Sequence, residues 1–147
     1  VRLPDGRAGW VQRGDVTFDA APLNVQAVVA LAKRFLGLPY LWGGVSTFGY
    51  DCSGFTGMLL RHRGVIIPRD AGPQMRWEGF APVEPAGLQA GDLLFFGPSA
   101  EQVTHTGMYI GGGEFISATT WRKPMVQISR LDDPHWSSLL VGCRRLK

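Results

Sequence analysis

Tyr50-Asp51-Cys52-Ser53-Gly54-Phe55 is the stretch from which the rest of this chain is read. Asp51 is a good helix cap, because its carboxylate can accept from the free N–H groups of a first turn. Phe55, Met58 and Leu59 then give an apolar stripe at helical spacing, and Gly64 ends the helix. Upstream lies a glycine-rich loop, residues 39–50, with Tyr40, Trp42, Gly43 and Gly44. Cys52 therefore falls at a helix N-terminus, where unpaired N–H groups and the helix dipole stabilise an anion. A free thiol has a pKa of ~8.5, and such settings bring it down to roughly 3.5–7.5. The thiolate is the nucleophilic form, and the same N–H groups can hold an oxyanion. A small buried core cysteine accounts for the placement equally well.

Working outward, a first helix is predicted from Asn24, with Leu23 and Val28 at the spacing of a hydrophobic staple. Val28, Leu31, Ala32 and Phe35 form one buried face, and Gly37 with Pro39 stops it. Residues 1–20 read as short strands and turns, with a turn at Pro4-Asp5-Gly6 and a strand through Ala8-Gly9-Trp10-Val11. Because composition shifts at Ala20-Ala21-Pro22, residues 1–20 are expected to be the tail of a preceding small β module or a linker, rather than an edge hairpin. Residues 21–147 are expected to be one domain. Residues 65–89, rich in proline, read as irregular. Strands follow at 93–96, 105–110, 114–118, 126–128 and 139–145, with Gly111-Gly112-Gly113 as a hairpin turn. Helices first and strands afterwards predict an α+β fold, helices packed on an antiparallel sheet.

Composition removes several classes. The chain has 147 residues, 45% apolar and 18% charged, enough for a single core and too apolar for disorder. No run of 18 apolar residues occurs, so no membrane span is expected. The net charge of +3 is dispersed, which argues against a nucleic-acid surface. Two cysteines, Cys52 and Cys143, are too few for a disulfide scaffold or a zinc finger, and Cys143 reads as a buried strand residue. The chain opens on Val1 without a signal segment, so a processed or trimmed form is expected and the compartment is not directly readable.

A thiol nucleophile needs a base. His62 stands between Arg61 and Arg63 near a helix end, and His135 follows Asp132-Asp133-Pro134 in a turn-like stretch; both read as surface residues. His105 opens a strand, which gives its ring a fixed direction. A histidine satisfied at the sheet surface is the competing reading, and from this position alone the stronger one. If residues 110–112 form the hairpin loop, Tyr109 pairs with Gly113, Gly107 with Phe115, and His105 with Ser117. Paired residues share a face with Cβ atoms ~5 Å apart, so Ser117 would orient the imidazole. Trp77, Trp121 and Trp136 read as packing residues, although a glycan or peptide platform is the alternative.

Leu38-Pro39-Tyr40-Leu41-Trp42-Gly43-Gly44 followed by Asp51-Cys52-Ser53-Gly54-Phe55 closely resembles the nucleophile region of NlpC-type bacterial cell-wall cysteine peptidases. Gly91-Asp92-Leu93-Leu94-Phe95-Phe96 and His105-Thr106-Gly107-Met108-Tyr109-Ile110-Gly111 resemble that family's later strands, and the resemblance runs from about residue 24 to the end. It implies a papain-like α+β fold with the nucleophile helix on a central sheet. It also implies hydrolysis of γ-D-glutamyl bonds to diaminopimelate or lysine in murein stem peptides. Cys52 would be the nucleophile, His105 the base, and Tyr40 an oxyanion donor. Trp42 belongs to the same motif and joins the substrate-binding set. Asp51 and Ser53 match positions that, in members with an N-terminal SH3-like module, help bind the free amine of an L-Ala-γ-D-Glu end. Arg69-Asp70-Ala71 resembles the next substrate-binding loop, with alanine where serine is frequent.

Ser117 stands where the family usually has a second histidine. It orients His105 weakly, or Thr119 or a carbonyl does so, or activity is low. An N-terminal SH3-like module often precedes this catalytic domain, and Gly9-Trp10-Val11 resembles its last strands. The resemblance implies no metal and no cofactor, murein peptides as partners, and a monomer. The place of action would be secreted, periplasmic or at the cell envelope, with cytoplasmic murein-peptide recycling as the alternative. Competing functions are a non-catalytic wall-binding module, separable by thiol labelling, and an amidase or acyltransferase on the same scaffold, separable by product mass.

Overall fold

Asn24 accepts from the Ala27 N–H at 2.8 Å and starts α1 (Val25–Lys33) in a computed structural model that describes residues 1–3, 5–12 and 21–147. Val28 and Ala32 are fully buried, while Leu31 is only half-buried. Phe35, just beyond the helix, packs on the same core. Gly37 takes a positive φ of 84° as the chain leaves the helix, and its N–H donates to the Val126 carbonyl at 2.9 Å. A two-residue ribbon, β1 (Val45–Ser46) and β2 (Gly49–Tyr50), organises part of the stretch expected to be loop.

Asp51 caps α2 (Cys52–His62) through a 2.7 Å bond from the Gly54 N–H. Its buried face is Phe55, Thr56, Leu59 and Leu60, while Met58 lies at the margin of the core. Residues 65–89 are more regular than expected. They contain α3 (Ala71–Met75), the strand β3 (Phe80–Pro82) and one 3-10 turn, Pro85–Gly87. Then come β4 (Leu93–Phe96), β5 (His105–Gly111), β6 (Glu114–Thr119) and β7 (Met125–Arg130). The short α4 (Pro134–Ser137) and the final strand β8 (Leu140–Leu146) complete the chain.

The main sheet has the order β3-β8-β4-β5-β6-β7, with every neighbouring pair antiparallel. Strand alternation gives it two unlike faces. Leu93, Phe95, Met108, Ile116, Ala118 and Val126 face the two main helices. Leu94, Phe96, Phe115 and Cys143 face the other way and are covered by Trp136 of α4. The fold is thus α+β with α2 packed on an antiparallel sheet, as the order of elements predicts.

The β5–β6 register departs from the expected one. Gly112 and Gly113 form a two-residue turn with φ of 64° and 78°, and Gly111 pairs with Glu114. After a bulge, Tyr109 pairs with Phe115 rather than Gly113. A slip of two residues keeps each side chain on its predicted face but changes its nearest cross-strand neighbour. At the N-terminus, Arg2 bridges Ala8 across a turn at Asp5-Gly6, and no strand forms at Trp10 or Val11. Pro4 and the boundary expected at residue 20 fall outside the described residues. No described helix is long and apolar enough to cross a membrane.

Candidate active site

Cys52 is the first residue of α2 and is 8% exposed. The loop before it is held by short bonds. Tyr40 donates its N–H to the Pro124 carbonyl at 2.9 Å, and Leu41 donates to the Tyr50 carbonyl at 3.0 Å. The Gly43 N–H bonds Asp51 Oδ2 at 2.9 Å, and the Asp51 N–H bonds the Gly44 carbonyl at 3.2 Å. Gly54 permits this closeness, because a Cβ there would run into the Gly44 carbonyl oxygen. α2 and the Tyr40–Gly44 loop are in this way clamped face to face.

Arg69 closes the same knot from the far side. Its guanidinium donates to Asp51 Oδ2 at 2.5 Å, to Asp51 Oδ1 at 3.0 Å and to Ser53 Oγ at 2.9 Å. With the Gly43 and Gly54 N–H groups and the Ser53 hydroxyl at 3.3 Å, the Asp51 carboxylate has no idle lone pair. Burial pushes the Asp51 pKa upward, but the Arg69 hydrogen bonds, the two backbone donors and the Arg69 charge together leave it below the usual range. Gln74, fully buried, ties the loop down. It donates to the Ser53 and Pro68 carbonyls at 3.0 and 2.9 Å and accepts from Thr56 Oγ1 at 2.9 Å. Sequence reasoning missed Gln74. Its signal would have been a polar residue left inside an otherwise apolar surround.

His105 begins β5, on the face opposite the one α2 covers. Phe96 and Trp136 lie against its ring at centroid distances of 5.8 and 4.9 Å. Because α2 starts at the end of this strand, Cys52 and His105 nevertheless line one cleft, together with Tyr40, Trp42 and Thr104. Nε2 of His105 lies 3.1 Å from Oγ of the fully buried Ser117. The predicted partnership therefore forms, through a diagonal neighbour relation rather than a direct pair. Asp70 and the exposed Trp42 line the Asp51–Arg69 side of the cleft, so the expected substrate-binding residues do come together.

The electrostatics correct one expectation. Burial pushes the Cys52 thiol up, and the Asp51 charge adds to this. The Thr106, Ser53 and Cys52 N–H groups pull it down, but by less. Burial also lowers the His105 pKa to about 3, with His135 a smaller cause. Both shifts favour the uncharged forms, against the lowering expected of a thiol at a helix terminus. Burial likewise raises the Tyr40 hydroxyl, helped by the Asp51 charge and by Cys52 whenever it ionises, which keeps it a donor.

His135 and Trp121 also differ from their sequence reading. Their rings stack at 3.6 Å with planes 2° apart, and both line the cleft beside His105. His135 is thus no surface residue apart from the site. Trp77 packs on Phe80 and Trp136 is buried, as packing residues should be. His62 is exposed at the far end of α2. Cys143 is buried in β8, and burial pushes its thiol up to about 11. Among the described residues no cluster of His, Cys, Asp or Glu could hold a metal ion.

The same residues are embedded in a wider likeness to known proteins. Residues 37–145 match the sequence model of the NlpC/P60 family. The chain is similar to the gamma-D-glutamyl-L-lysine dipeptidyl-peptidase of Bacillus cereus (strain ATCC 10987 / NRS 248), 40% identical over 99% of this chain and 45% of that protein. It is similar to the protein of the same description from Bacillus subtilis (strain 168), 37% identical over 86% of this chain and 44% of the other. The crystal structure of an NlpC/P60 family protein from Bacillus cereus ATCC 10987 superposes with a TM-score of 0.88 at 38% identity, covering 99% of this chain and 49% of that one. The chain spans about half the length of the curated relatives it matches.

Proposed function

The chain belongs to the NlpC/P60 family, and from that membership we propose that it is a cysteine endopeptidase of murein, cleaving the γ-D-glutamyl bond to the diamino acid of the stem peptide. The observation that carries this reading is Cys52 at a capped helix N-terminus sharing a cleft with His105, whose Nε2 is engaged by Ser117. Both Bacillus relatives bear a gamma-D-glutamyl-L-lysine dipeptidyl-peptidase description, which supports the bond type.

The chemistry is set by these groups. With Nε2–H donating to Ser117, the other ring nitrogen, Nδ1, is left as the acceptor. It takes the Cys52 proton as the sulfur attacks the γ-carbonyl carbon. Separate charges on Cys52 and His105 are disfavoured by burial, but a thiolate and an imidazolium formed together offset each other. The oxyanion that develops meets the backbone N–H of Cys52 and the Tyr40 hydroxyl. Imidazolium then gives its proton to the departing amine, and a thioester remains. Water, deprotonated by the same imidazole, attacks the thioester and releases the acid and the thiol.

The charged half of the cleft suits the L-Ala-γ-D-Glu end. Ser53, Asp70 and Trp42 lie there with Asp51 and Arg69. Amine capture at Asp51 has to displace an internal donor, and the Ser53 hydroxyl at 3.3 Å is the most weakly held. The acting unit in this reading is a monomer, and its place is the cell envelope, where murein peptides occur.

Incubation with L-Ala-γ-D-Glu-diaminopimelate and L-Ala-γ-D-Glu-L-Lys peptides, with products weighed by mass spectrometry, tests the proposal. Release of the L-Ala-D-Glu dipeptide by the wild type and not by Cys52→Ala is expected. No cleavage by the wild type, or equal cleavage by the variant, overturns it.

A further inference from the structure

The cleft through Cys52 has two unlike halves, with Tyr40, Trp42, Cys52 and Thr104 common to both. One half holds Asp51, Arg69, Asp70, Arg76 and Glu101. The other is walled by Thr119, Thr120, Trp121, His135, Trp136 and Leu139, with no Asp, Glu, Lys or Arg among its described lining residues. A substrate cleaved at Cys52 must lay its acyl part in one half and its leaving group in the other.

The uncharged half is built rather than incidental. The Trp121 N–H bonds Thr119 Oγ1 at 3.0 Å, and the Trp121 carbonyl accepts from Gln127 Nε2 at 2.8 Å. Arg122 adopts a φ of 61°, the one such non-glycine residue among those described, and sparsely populated backbone gathers at ligand sites. Its guanidinium bonds Asp133 Oδ2 at 2.8 Å, while Asp133 Oδ1 accepts the His135 N–H at 3.0 Å. One carboxylate thus ties the loop carrying Trp121 to the helix carrying His135, and their rings stack. The indole N–H groups of Trp121 and Trp136 are buried without an acceptor in the protein, a state that structures seldom keep without cause.

We propose that the Trp121–His135 stack is the specificity platform for the leaving-group residue. The methylenes of an aliphatic side chain lie along the Trp121 face, and a terminal ammonium is held by the ring's negative quadrupole. Among the described residues no Lys or Arg lines this half of the cleft to repel that ammonium. This assignment rests on the peptidase reading for the bond that is cut, and it adds the residues that select the amino acid on the amine side of that bond.

The test compares L-Ala-γ-D-Glu-L-Lys with L-Ala-γ-D-Glu-L-Ala as substrates. For Trp121→Leu, kcat/KM is expected to fall about 10-fold on the lysine peptide and less than about twofold on the alanine peptide. Trp121→Phe, which keeps a ring face, is expected to stay within about threefold of wild type on both. Unchanged iodoacetamide labelling of Cys52 checks that the nucleophile is intact. Equal losses on both peptides, or none on either, overturn the platform. If the wild type cleaves neither peptide, the peptidase reading fails by itself. The platform is then judged by calorimetric binding of L-Lys-D-Ala to the Cys52→Ala protein. Binding that Trp121→Leu abolishes upholds it, and binding that is absent or unaffected by that change overturns it.

Discussion

Nε2 of His105 and Oγ of Ser117 lie 3.1 Å apart, between strands whose register differs by two residues from the one their turn suggested. The Ser117 hydroxyl stands where a stronger orienting group would, with less pull on the ring. On the proposed reading, Ser117→Ala is expected to lower kcat by about 10-fold, since the ring loses a partner while Cys52 and His105 themselves remain. Ser117→Thr, which keeps the oxygen, should retain most of the rate. A kcat unchanged in Ser117→Ala would show that something else holds the imidazole.

Burial raises the Cys52 thiol and lowers His105, so both are pushed toward their uncharged forms. Iodoacetamide labelling is expected to be slow at pH 7 and to climb on the alkaline side of the free-thiol value of ~8.5. Cys52→Ala should remove it, since Cys143 is buried with its thiol pushed up to about 11. A labelling rate already on its plateau near pH 6 would contradict this picture.

His105 also couples folding to acidity. Its folded pKa, about 3, lies below the unfolded value of ~6.5. Between those values the unfolded chain takes up a proton that the folded one refuses, so stability falls as pH drops from about 6.5 to about 3. The melting temperature of the wild type should decline across that window, and His105→Gln should flatten the decline. Parallel curves for the two proteins would assign the acid sensitivity elsewhere.

The Asp51–Arg69 pair acts in a lower window. The folded Asp51 pKa is depressed, so its contribution is present above the unfolded value of ~3.9 and is lost as pH falls through the folded one. Arg69 is 41% exposed and solvent screens it, so Arg69→Ala is expected to cost about 1 kcal/mol at pH 7, or roughly 2–4 °C in Tm. The difference from wild type should shrink toward zero as pH falls through the depressed Asp51 pKa.

Gly54→Ala should be far worse than its single methyl suggests. The added Cβ meets the Gly44 carbonyl and forces the loop carrying Tyr40 away from α2. A loss of about 2–3 kcal/mol and a fall in activity larger than the fall in folded fraction are expected. Circular dichroism melts alongside peptide cleavage would separate the two effects.

What the sequence reveals and what it hides divide along a physical line. The Asp51 cap, the apolar stripes of both main helices and the Gly-Gly turn are local, so residue spacing carries them. β3 is three residues at the sheet edge, ending on Pro82, and offers too short a pattern to read. α3 has Gly72 and Pro73 inside it and no side-chain cap bond, so its local signals argue against a helix. The hairpin register depends on whether the glycine turn has two or three residues, a choice made with a bulge. His135 acquires meaning only beside Trp121, which reaches it across the end of the sheet. Thiol acidity went the other way from its helix-terminus expectation, because burial is a property of everything packed around Cys52 rather than of α2.

The order β3-β8-β4 places the final strand between two that are made much earlier. Until Leu140–Leu146 emerges from the ribosome, Leu94 and Phe96 lack their Cys143 neighbour, and the aromatic floor under His105 stands open. A nascent chain therefore carries its sulfur long before the sheet beneath the cleft is complete.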